Sequence, residues 1–202
     1  MALDDGAEAA AGSLPAQNVV LVRHGETAWS KSGRHTGASD IPLDDSGRAQ
    51  ASALQPILAG HRFELVLTSP LQRARETCRL AGFGERAQPR PDLAEWDYGR
   101  YDGLTSAQIK EDRPDWSLWR DGGPGGESPA DVARRADRVI AEIRAVPGDV
   151  LLFSHGHLLR VLAARWLGEA ASAGRFYALR PAGRSVLAYE HDQPVIELWN
   201  QT

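Results

Sequence analysis

The chain of 202 residues contains a single cysteine, Cys78. One cysteine excludes an internal disulfide and a metal cluster built on cysteine ligands. Scarce cysteine without disulfides is typical of a reducing compartment, so we expect a cytoplasmic protein. Cys78 follows Thr77 in a predicted helix, and we predict that it is an inert part of the core.

An excess of positive charge and a long apolar run are also missing. The 23 Lys and Arg residues are outnumbered by 27 Asp and Glu residues, for a formal net charge of -4. This balance gives no electrostatic footprint for nucleic acid or an anionic membrane, and no apolar run approaches the length of a membrane span. We therefore expect neither partner, and an anionic ligand would need a local cluster of arginines. No pattern specifies an oligomeric state.

The amino-terminal segment, residues 1–17, is rich in Ala, Gly and Asp. It has neither the basic region nor the continuous apolar core of a secretory signal, so we expect a disordered tail. The remaining residues, 18–202, are expected to form one domain, because a chain of this length is typical of a single domain that buries roughly 70% of its unfolded surface.

Short apolar runs alternate with helical patterns along this domain. Strands are predicted at 18–23, 63–68 and 149–154, with a closing hairpin at 185–190 and 195–199. Helices are predicted from 46 to 59 after a cap at Asp44 or Asp45, from Ser69-Pro70 onward, from Ser128 to about Ala145, and from 158 to 167. Residues 99–127 are predicted to form an irregular lid with one short helix near 105–111. The alternation predicts an α/β fold with a mostly parallel central sheet, covered by helices on both faces.

Two of the predicted strands end in a histidine. The first runs into Arg23-His24-Gly25, and another runs into Ser154-His155-Gly156-His157. Ligands of open α/β sheets bind beyond the carboxyl ends of the strands, so these histidines should meet in space. Two unrelated core strands that end in polar turns would be the plainer explanation of either motif alone.

The residues beside these histidines favour a phosphate ligand. Arg23 supplies a fork-shaped cation, and neighbouring cations favour a neutral His24 ring that can attack phosphorus without a helper base. We interpret Gly25 as room for the close approach of the phosphate. Arg73 lies in the predicted first turn of a helix, where free N–H groups face an anion. A lone arginine, however, is more often a solvated surface residue.

Glu95 is the candidate acid. It stands before Trp96 and Tyr98. Aromatic neighbours desolvate a carboxyl group, which suits a general acid that later activates water. An ordinary surface glutamate is the alternative.

From about Asn18 onward the chain resembles the histidine phosphatase superfamily, the phosphoglycerate mutase-like proteins. The motifs that carry the resemblance are Arg-His-Gly-Glu-Thr at 23–27, Thr-Gly at 36–37 with Asp-Ile-Pro-Leu at 40–43, Gly47 with Gln50-Ala51, Ser-Pro at 69–70 with Arg-Ala at 73–74, Glu95 with Gly99, and Ser-His-Gly-His at 154–157. The resemblance implies a three-layer α/β/α sandwich.

The resemblance also implies roles for individual residues. His24 would become phosphorylated, Glu95 would protonate the leaving oxygen, and Arg23, Arg73 and His155 would hold the phosphoryl group. The candidate substrate-binding residues are Thr36, Gly37, Tyr98, Gly156, Ser30 and His35, of which His35 has the plainer alternative of capping its loop.

Details of the sequence are similar to the branch of sedoheptulose bisphosphatases and bacterial acid phosphatases. They lie at 29–37, at 95–99, and around Trp116 and Trp119. Classical mutases instead carry a longer lid followed by an adjacent arginine pair. The present lid offers Lys110 and Arg113, three apart on one predicted helix face, as candidates for binding a second phosphate.

The resemblance therefore implies a phosphatase without metal or other cofactor. It would hydrolyse small phosphorylated metabolites, such as sugar phosphates or bisphosphates, through a phosphohistidine. A phosphoglycerate mutase and a catalytically inactive phospho-ligand-binding protein are the alternatives. His157 is predicted to point away from His155 or to pack on the following helix, rather than to form a metal pair with it. The two tryptophans, Trp116 and Trp119, are predicted to pack in the fold rather than to stack on a ligand.

Overall fold

The computed structural model describes residues 17–202. The predicted tail lies outside the described residues except for Gln17, where the prediction is wrong. Gln17 is buried, and its side-chain amide donates to the carbonyl oxygens of Ile143, Val146 and Gly148 at 2.8, 2.9 and 3.0 Å. These bonds fix Gln17 to the end of a helix, so the folded domain includes it.

A six-stranded sheet forms the centre of the described chain, in the order β3-β2-β4-β1-β5-β6. Strands β1 to β4 run parallel, whereas β5 and β6 form an antiparallel hairpin at one edge. The strands are β1 (Val19–Arg23), β2 (Leu65–Thr68), β3 (Gln88–Pro89), β4 (Val150–Ser154), β5 (Arg184–Glu190) and β6 (Gln193–Gln201). The predicted strands and hairpin are confirmed. The two-residue β3 is missing from the prediction because it is polar and exposed.

Helices cover both faces of the sheet, as predicted. They are α1 (Ala28–Lys31), α2 (Asp45–Leu58), α3 (Gln72–Leu80), α4 (Ser106–Asp112), α5 (Leu118–Asp121), α6 (Pro129–Arg144) and α7 (Gly156–Trp166). Short 3-10 helices lie at Pro91–Leu93, Gly99–Tyr101 and Ala171–Phe176. No helix in residues 17–202 is long and apolar enough to cross a membrane.

Alternation along the strands builds two hydrophobic clusters. In β1, Val19 and Leu21 join the cluster that α6 and α7 cover, while Val20 and Val22 join the one beneath α2 and α3. Successive side chains of a strand point to opposite faces, which explains this division. The second cluster also takes up Cys78, and burial raises the pKa of its thiol to about 12, so it is inert as predicted.

Two helix starts differ from the predictions. Helix α3 begins at Gln72 rather than at Pro70, because Leu71 is still extended with φ -71 and ψ 139. Helix α7 begins at Gly156, with His155 as its N-cap, rather than at 158. The first shift leaves residues 69–71 between β2 and α3, whereas the second brings the first turn of α7 next to the end of β4.

Candidate active site

The carboxyl ends of β1 and β4 bring the two predicted histidines together. Arg23 pairs with Ser154 in the parallel register, and the backbone N–H of His24 donates to the carbonyl of Ser154 at 2.9 Å. The rings of His24 and His155 consequently lie 5.2 Å apart, with 60° between their planes. The predicted meeting of the two strand ends is therefore confirmed.

A cavity of about 170 Å³ opens beside His24. Most of the predicted site residues line it, together with residues that the sequence analysis did not single out. The lining consists of Arg23, His24, Ser30, Gly33, Arg34, His35, Thr36, Glu95, Tyr98, Gly156, His157, Arg160 and Leu179. Arg73, His155 and Gly37 are absent from that lining and lie behind it.

His24 is held in the orientation that a nucleophile requires. Its Nδ1 lies 2.7 Å from the carbonyl oxygen of Gly25, which can only accept, so Nδ1 carries the proton and donates it. Burial first, and then the charges of Arg23 and Arg73, lower the pKa of His24 well below its ordinary value of 6.5. The ring is therefore neutral, and Nε2 keeps its lone pair for attack.

Gly25 stands where two backbone segments meet. A Cβ atom at this position would lie 2.3 Å from the carbonyl oxygen of Gly47, and one at Gly47 would meet Glu26 at 2.1 Å. The missing side chains therefore allow two backbone segments to touch beside the site. This contact explains the pairing of both glycines in the motif.

Arg23 is an incompletely satisfied cation. Its Nη1 donates to the carbonyl of Leu179 at 2.5 Å, but its buried Nε has no hydrogen-bond partner among the described residues. A buried N–H without an acceptor is unfavourable. An anion in the cavity next to His24 would supply that acceptor.

Arg73 and His155 form a buried pair behind the cavity. Arg73 donates through Nε to Nδ1 of His155 at 3.1 Å, and through its other nitrogens to the carbonyl oxygens of Ser39 at 3.0 Å, Thr36 at 2.9 Å and Gly37 at 3.2 Å. Nε2 of His155 lies 2.7 Å from Oγ of Ser69. Both side chains are fully buried, and their contact with the phosphoryl group stays a prediction. Arg73 holds the loop at 36–39 that forms the mouth of the site, and His155 accepts the hydrogen bond from its Nε.

Asp102 ties this mouth loop to the lid. Its carboxylate accepts from the backbone N–H groups of Gly37 at 2.8 Å and Ser39 at 3.0 Å. Gly37 therefore contributes its backbone to the loop rather than a contact to the cavity. A Cβ atom at Gly37 would meet the carbonyl oxygen of Trp96 at 2.8 Å, which is why glycine stands there.

Glu95 lines the cavity and fixes the start of α7. One carboxylate oxygen accepts from the backbone N–H groups of Trp96 and Leu158, both at 2.9 Å, and the other accepts from that of His157 at 3.0 Å. The negative charge at the first turn of a helix is favourable. Glu95 is thus not the ordinary surface glutamate considered as the alternative, because it is only 8% exposed.

The rings of Tyr98, His35 and His157 form an aromatic wall of the cavity that His24 and Glu95 also line. The hydroxyl of Tyr98 and Nδ1 of His157 are 2.7 Å apart, and the ring of His35 lies 4.8 Å from that of Tyr98. Burial raises the pKa of Tyr98 well above 10.0, and it lowers the pKa of His157 well below 6.5. Both groups are therefore neutral. His35 lines the cavity as proposed. His157 lines it too, with its ring against Tyr98, Trp96 and Trp119 rather than against His155.

The predicted packing roles of the tryptophans hold. Trp116 is 5% exposed and packs on His35 and Tyr101, and Trp119 packs on Trp96 and His157. Both therefore support the aromatic wall from behind.

The basic residues of the cavity differ from the predicted ones. Arg160 lines the cavity but was not predicted, and Arg34, which belongs to the loop at 29–37, lines it as well. The predicted cation on the lid helix, Lys110, is exposed and does not line it, and neither does Arg113. Helix α4 buries Ile109 instead, which turns these two cations toward solvent.

The described residues contain no cluster of three or more His, Cys, Asp or Glu side chains that could hold a metal ion. Both ring nitrogens of His155 contact Arg73 and Ser69, and Nδ1 of His157 contacts Tyr98. Independence from metals stays a prediction.

The fold and the site together define a class of proteins: α/β proteins with a histidine and an arginine at the carboxyl edge of a parallel sheet. Residues 19–202 match the family model described as the histidine phosphatase superfamily (branch 1). The chain belongs to this superfamily.

Individual relatives are similar over most of their length. An acid phosphatase of Mycobacterium tuberculosis is 41% identical over 177 residues, which cover 86% of this chain and 87% of the relative. Sedoheptulose 1,7-bisphosphatase of Saccharomyces cerevisiae is 35% identical over 182 residues, which cover 74% and 67%. The solved structure of an open reading frame of Mycobacterium tuberculosis superposes with a TM-score of 0.87 at 39% identity, covering 92% of this chain and 98% of that one.

Proposed function

We propose that this chain is a phosphoric monoester hydrolase that acts on small phosphorylated metabolites, sugar phosphates or bisphosphates, through a phosphohistidine. The observation that carries the proposal is the state of His24. Its Nδ1–H is fixed on the carbonyl of Gly25, its Nε2 is free, and the unpartnered Nε of Arg23 belongs to the same cavity. The phosphatases among its relatives support the same activity.

The first half-reaction would transfer the phosphoryl group to the protein. Nε2 of His24 attacks phosphorus, the bond from phosphorus to the ester oxygen breaks, and the electron pair leaves with that oxygen. For this step Glu95 would take up a proton on the oxygen that accepts only from His157, and it gives that proton to the leaving oxygen, so an alcohol departs. Arg23 neutralises the oxygens of the phosphoryl group during transfer.

The second half-reaction would return the protein to its starting state. Glu95, now a carboxylate, takes a proton from water as the water oxygen attacks phosphorus and the bond to Nε2 breaks. Inorganic phosphate is released, and Glu95 is again protonated. His24 regains its free lone pair, while its Nδ1–H stays on Gly25 throughout.

An assay with a panel of substrates tests this proposal. Sugar phosphates, an aryl phosphate and 3-phosphoglycerate are incubated with excess chelator, and inorganic phosphate and isomer formation are both followed. We expect phosphate without isomer. Isomer formation would show a mutase, activity that disappears in chelator and returns with a divalent ion would show a metal requirement, and no product would show an inactive phospho-ligand-binding protein.

A further inference from the structure

Arg160 is a cavity cation that no acidic side chain neutralises. It stands on α7 one turn after Gly156 and lines the active-site cavity. Its Nε donates to the carbonyl of Gly174 at 3.0 Å and its Nη2 to that of Arg175 at 3.3 Å. Among residues 17–202 no carboxylate forms an ion pair with it, and Nη1 has no protein acceptor.

The guanidinium of Arg160 is held in place before any ligand arrives. Its Cζ lies 4.5 Å from the centroid of the Trp119 ring, and the two carbonyl bonds fix its plane. A planar guanidinium group that is already ordered loses little conformational entropy when it binds an anion. Such an arrangement is unlike a solvated surface arginine.

The charge of the cavity exceeds what one phosphoryl group needs. Arg23, Arg34 and Arg160 face a single carboxylate, that of Glu95, which three backbone N–H groups already engage. In the proposed reaction Arg23 serves the phosphoryl group next to His24. The other two arginines have no anionic partner in that scheme.

The size of the cavity places the second anion near the mouth. About 170 Å³ is well below the roughly 300–1,000 Å³ of sites that enclose a drug-sized ligand. The enclosed space therefore suits the reacting phosphoryl end of a substrate. Arg34 is exposed at the rim, with its Nη1 held on the carbonyl of Gly103 at 2.9 Å, so an extended substrate would pass it.

We propose that Arg160, assisted by Arg34, forms a subsite for the second phosphate of a bisphosphate substrate. This inference rests on the proposed phosphatase function and names its substrate class. It replaces the predicted role of Lys110 and Arg113, which do not line the cavity.

The test compares substrates that differ only in the second phosphate. Values of kcat/KM are measured for fructose 1,6-bisphosphate, fructose 1-phosphate and fructose 6-phosphate, with the wild type and with Arg160→Gln. A hydrogen bond to a charged group contributes about 1.5–3 kcal/mol, so the bisphosphate should lose about 10- to 100-fold and the monophosphates much less. Arg160→Lys keeps the charge and should recover part of the preference.

Two matched variants control for charge alone. Arg175→Gln removes the neighbouring arginine, which is exposed and outside the cavity, and the double variant Lys110→Ala with Arg113→Ala removes the lid cations. Both should leave the preference for the bisphosphate unchanged. Equal losses for bisphosphate and monophosphates in Arg160→Gln, at unchanged thermal stability, would overturn the subsite.

Two further measurements distinguish a phosphate subsite from a carboxylate subsite, and the subsite from the catalytic activity. If Arg160→Gln affects 3-phosphoglycerate relative to glycerol 3-phosphate but leaves the bisphosphate unaffected, the subsite binds a carboxylate and the phosphate assignment is wrong. Calorimetric binding of fructose 1,6-bisphosphate is also compared with and without Arg160→Gln in a His24→Ala background. That measurement tests the subsite even if no substrate is hydrolysed. An absence of hydrolysis would contradict the proposed function and would leave the subsite to be decided by the binding data.

Discussion

Nε of Arg73 donates to Nδ1 of His155 across 3.1 Å. Because an arginine N–H can only donate, Nδ1 must be the unprotonated nitrogen, and Nε2 carries the proton toward Ser69. Protonation of Nδ1 would set two donors against each other. Burial and the charge of Arg73 accordingly lower the pKa of His155 well below 6.5. In this structure the second histidine is linked to the mouth loop through Arg73.

This relationship predicts a difference between two replacements of His155. A glutamine oxygen can accept from Arg73, and its amide can donate to Ser69. Alanine leaves the buried Nε of Arg73 without a partner, at about 1–3 kcal/mol, and leaves Ser69 with only the backbone N–H of Leu71. We expect His155→Gln to unfold at a higher urea concentration and to keep a larger share of kcat/KM than His155→Ala. Equal inactivity of the two folded variants would return His155 to direct phosphoryl binding.

Three buried neutral histidines predict how stability depends on pH. The pKa of His24, of His155 and of His157 is lowered in the folded state, so the unfolded chain binds more protons below about pH 6.5. Stability from these groups is complete above that value. It should fall with acidification by about 1.4 kcal/mol per pH unit for each histidine that stays neutral.

Urea unfolding between pH 7 and 5 measures this slope. In His24→Asn, one of the three histidines is gone, so the slope should be about 1.4 kcal/mol per pH unit shallower than in the wild type. An identical slope in both proteins would show that His24 does not remain neutral in the folded chain.

The strand ends could be predicted because the run of apolar residues and their alternation are local properties of the sequence. Val19 to Val22 alternate between two cores, and any parallel arrangement then carries Arg23 and His24 to the edge where His155 also arrives. These three residues could be placed from the pattern of apolar residues alone.

Whether Arg160 can be assigned to the site from the sequence depends on where α7 is predicted to begin. With a start at 158, nothing relates Arg160 to the site. With the observed start at Gly156, Arg160 follows it by four residues and shares its helix face. That start is fixed by Glu95, which accepts from the backbone N–H groups of His157 and Leu158, 62 and 63 residues away in the chain. A contact of this range leaves no local signal in the sequence.

The nucleophile can be tested by trapping the intermediate. We predict that His24→Ala abolishes turnover and phosphoenzyme formation while the fold is kept, because His24 is the cavity residue with a free Nε2 held beside Arg23. Acid quench with labelled substrate should yield one acid-labile phosphohistidine in the wild type. His35→Ala, which removes another histidine of the same cavity, is the control and should still be labelled. Normal labelling of His24→Ala would exclude His24.

The final prediction concerns the proton that Glu95 would give to the leaving oxygen. An aryl phosphate leaves as a stable anion and needs that proton little, whereas a sugar alcohol needs it, and a positioned acid is typically worth about 10²–10⁴-fold. Glu95→Gln should therefore slow phosphoenzyme formation severely with an alkyl phosphate and much less with an aryl phosphate. Single-turnover burst rates isolate this step from the later attack by water.

Part of the loss of rate in Glu95→Gln would come from a disturbed helix start rather than from the missing acid. In Glu95→Gln an amide N–H₂ would face the backbone N–H of His157 or Leu158, which now donate to a carboxylate, so the start of α7 is disturbed for every substrate. Such a disturbance lowers both burst rates by the same factor. The ratio between alkyl and aryl rates cancels it, so an unchanged ratio would remove Glu95 from the role of leaving-group acid.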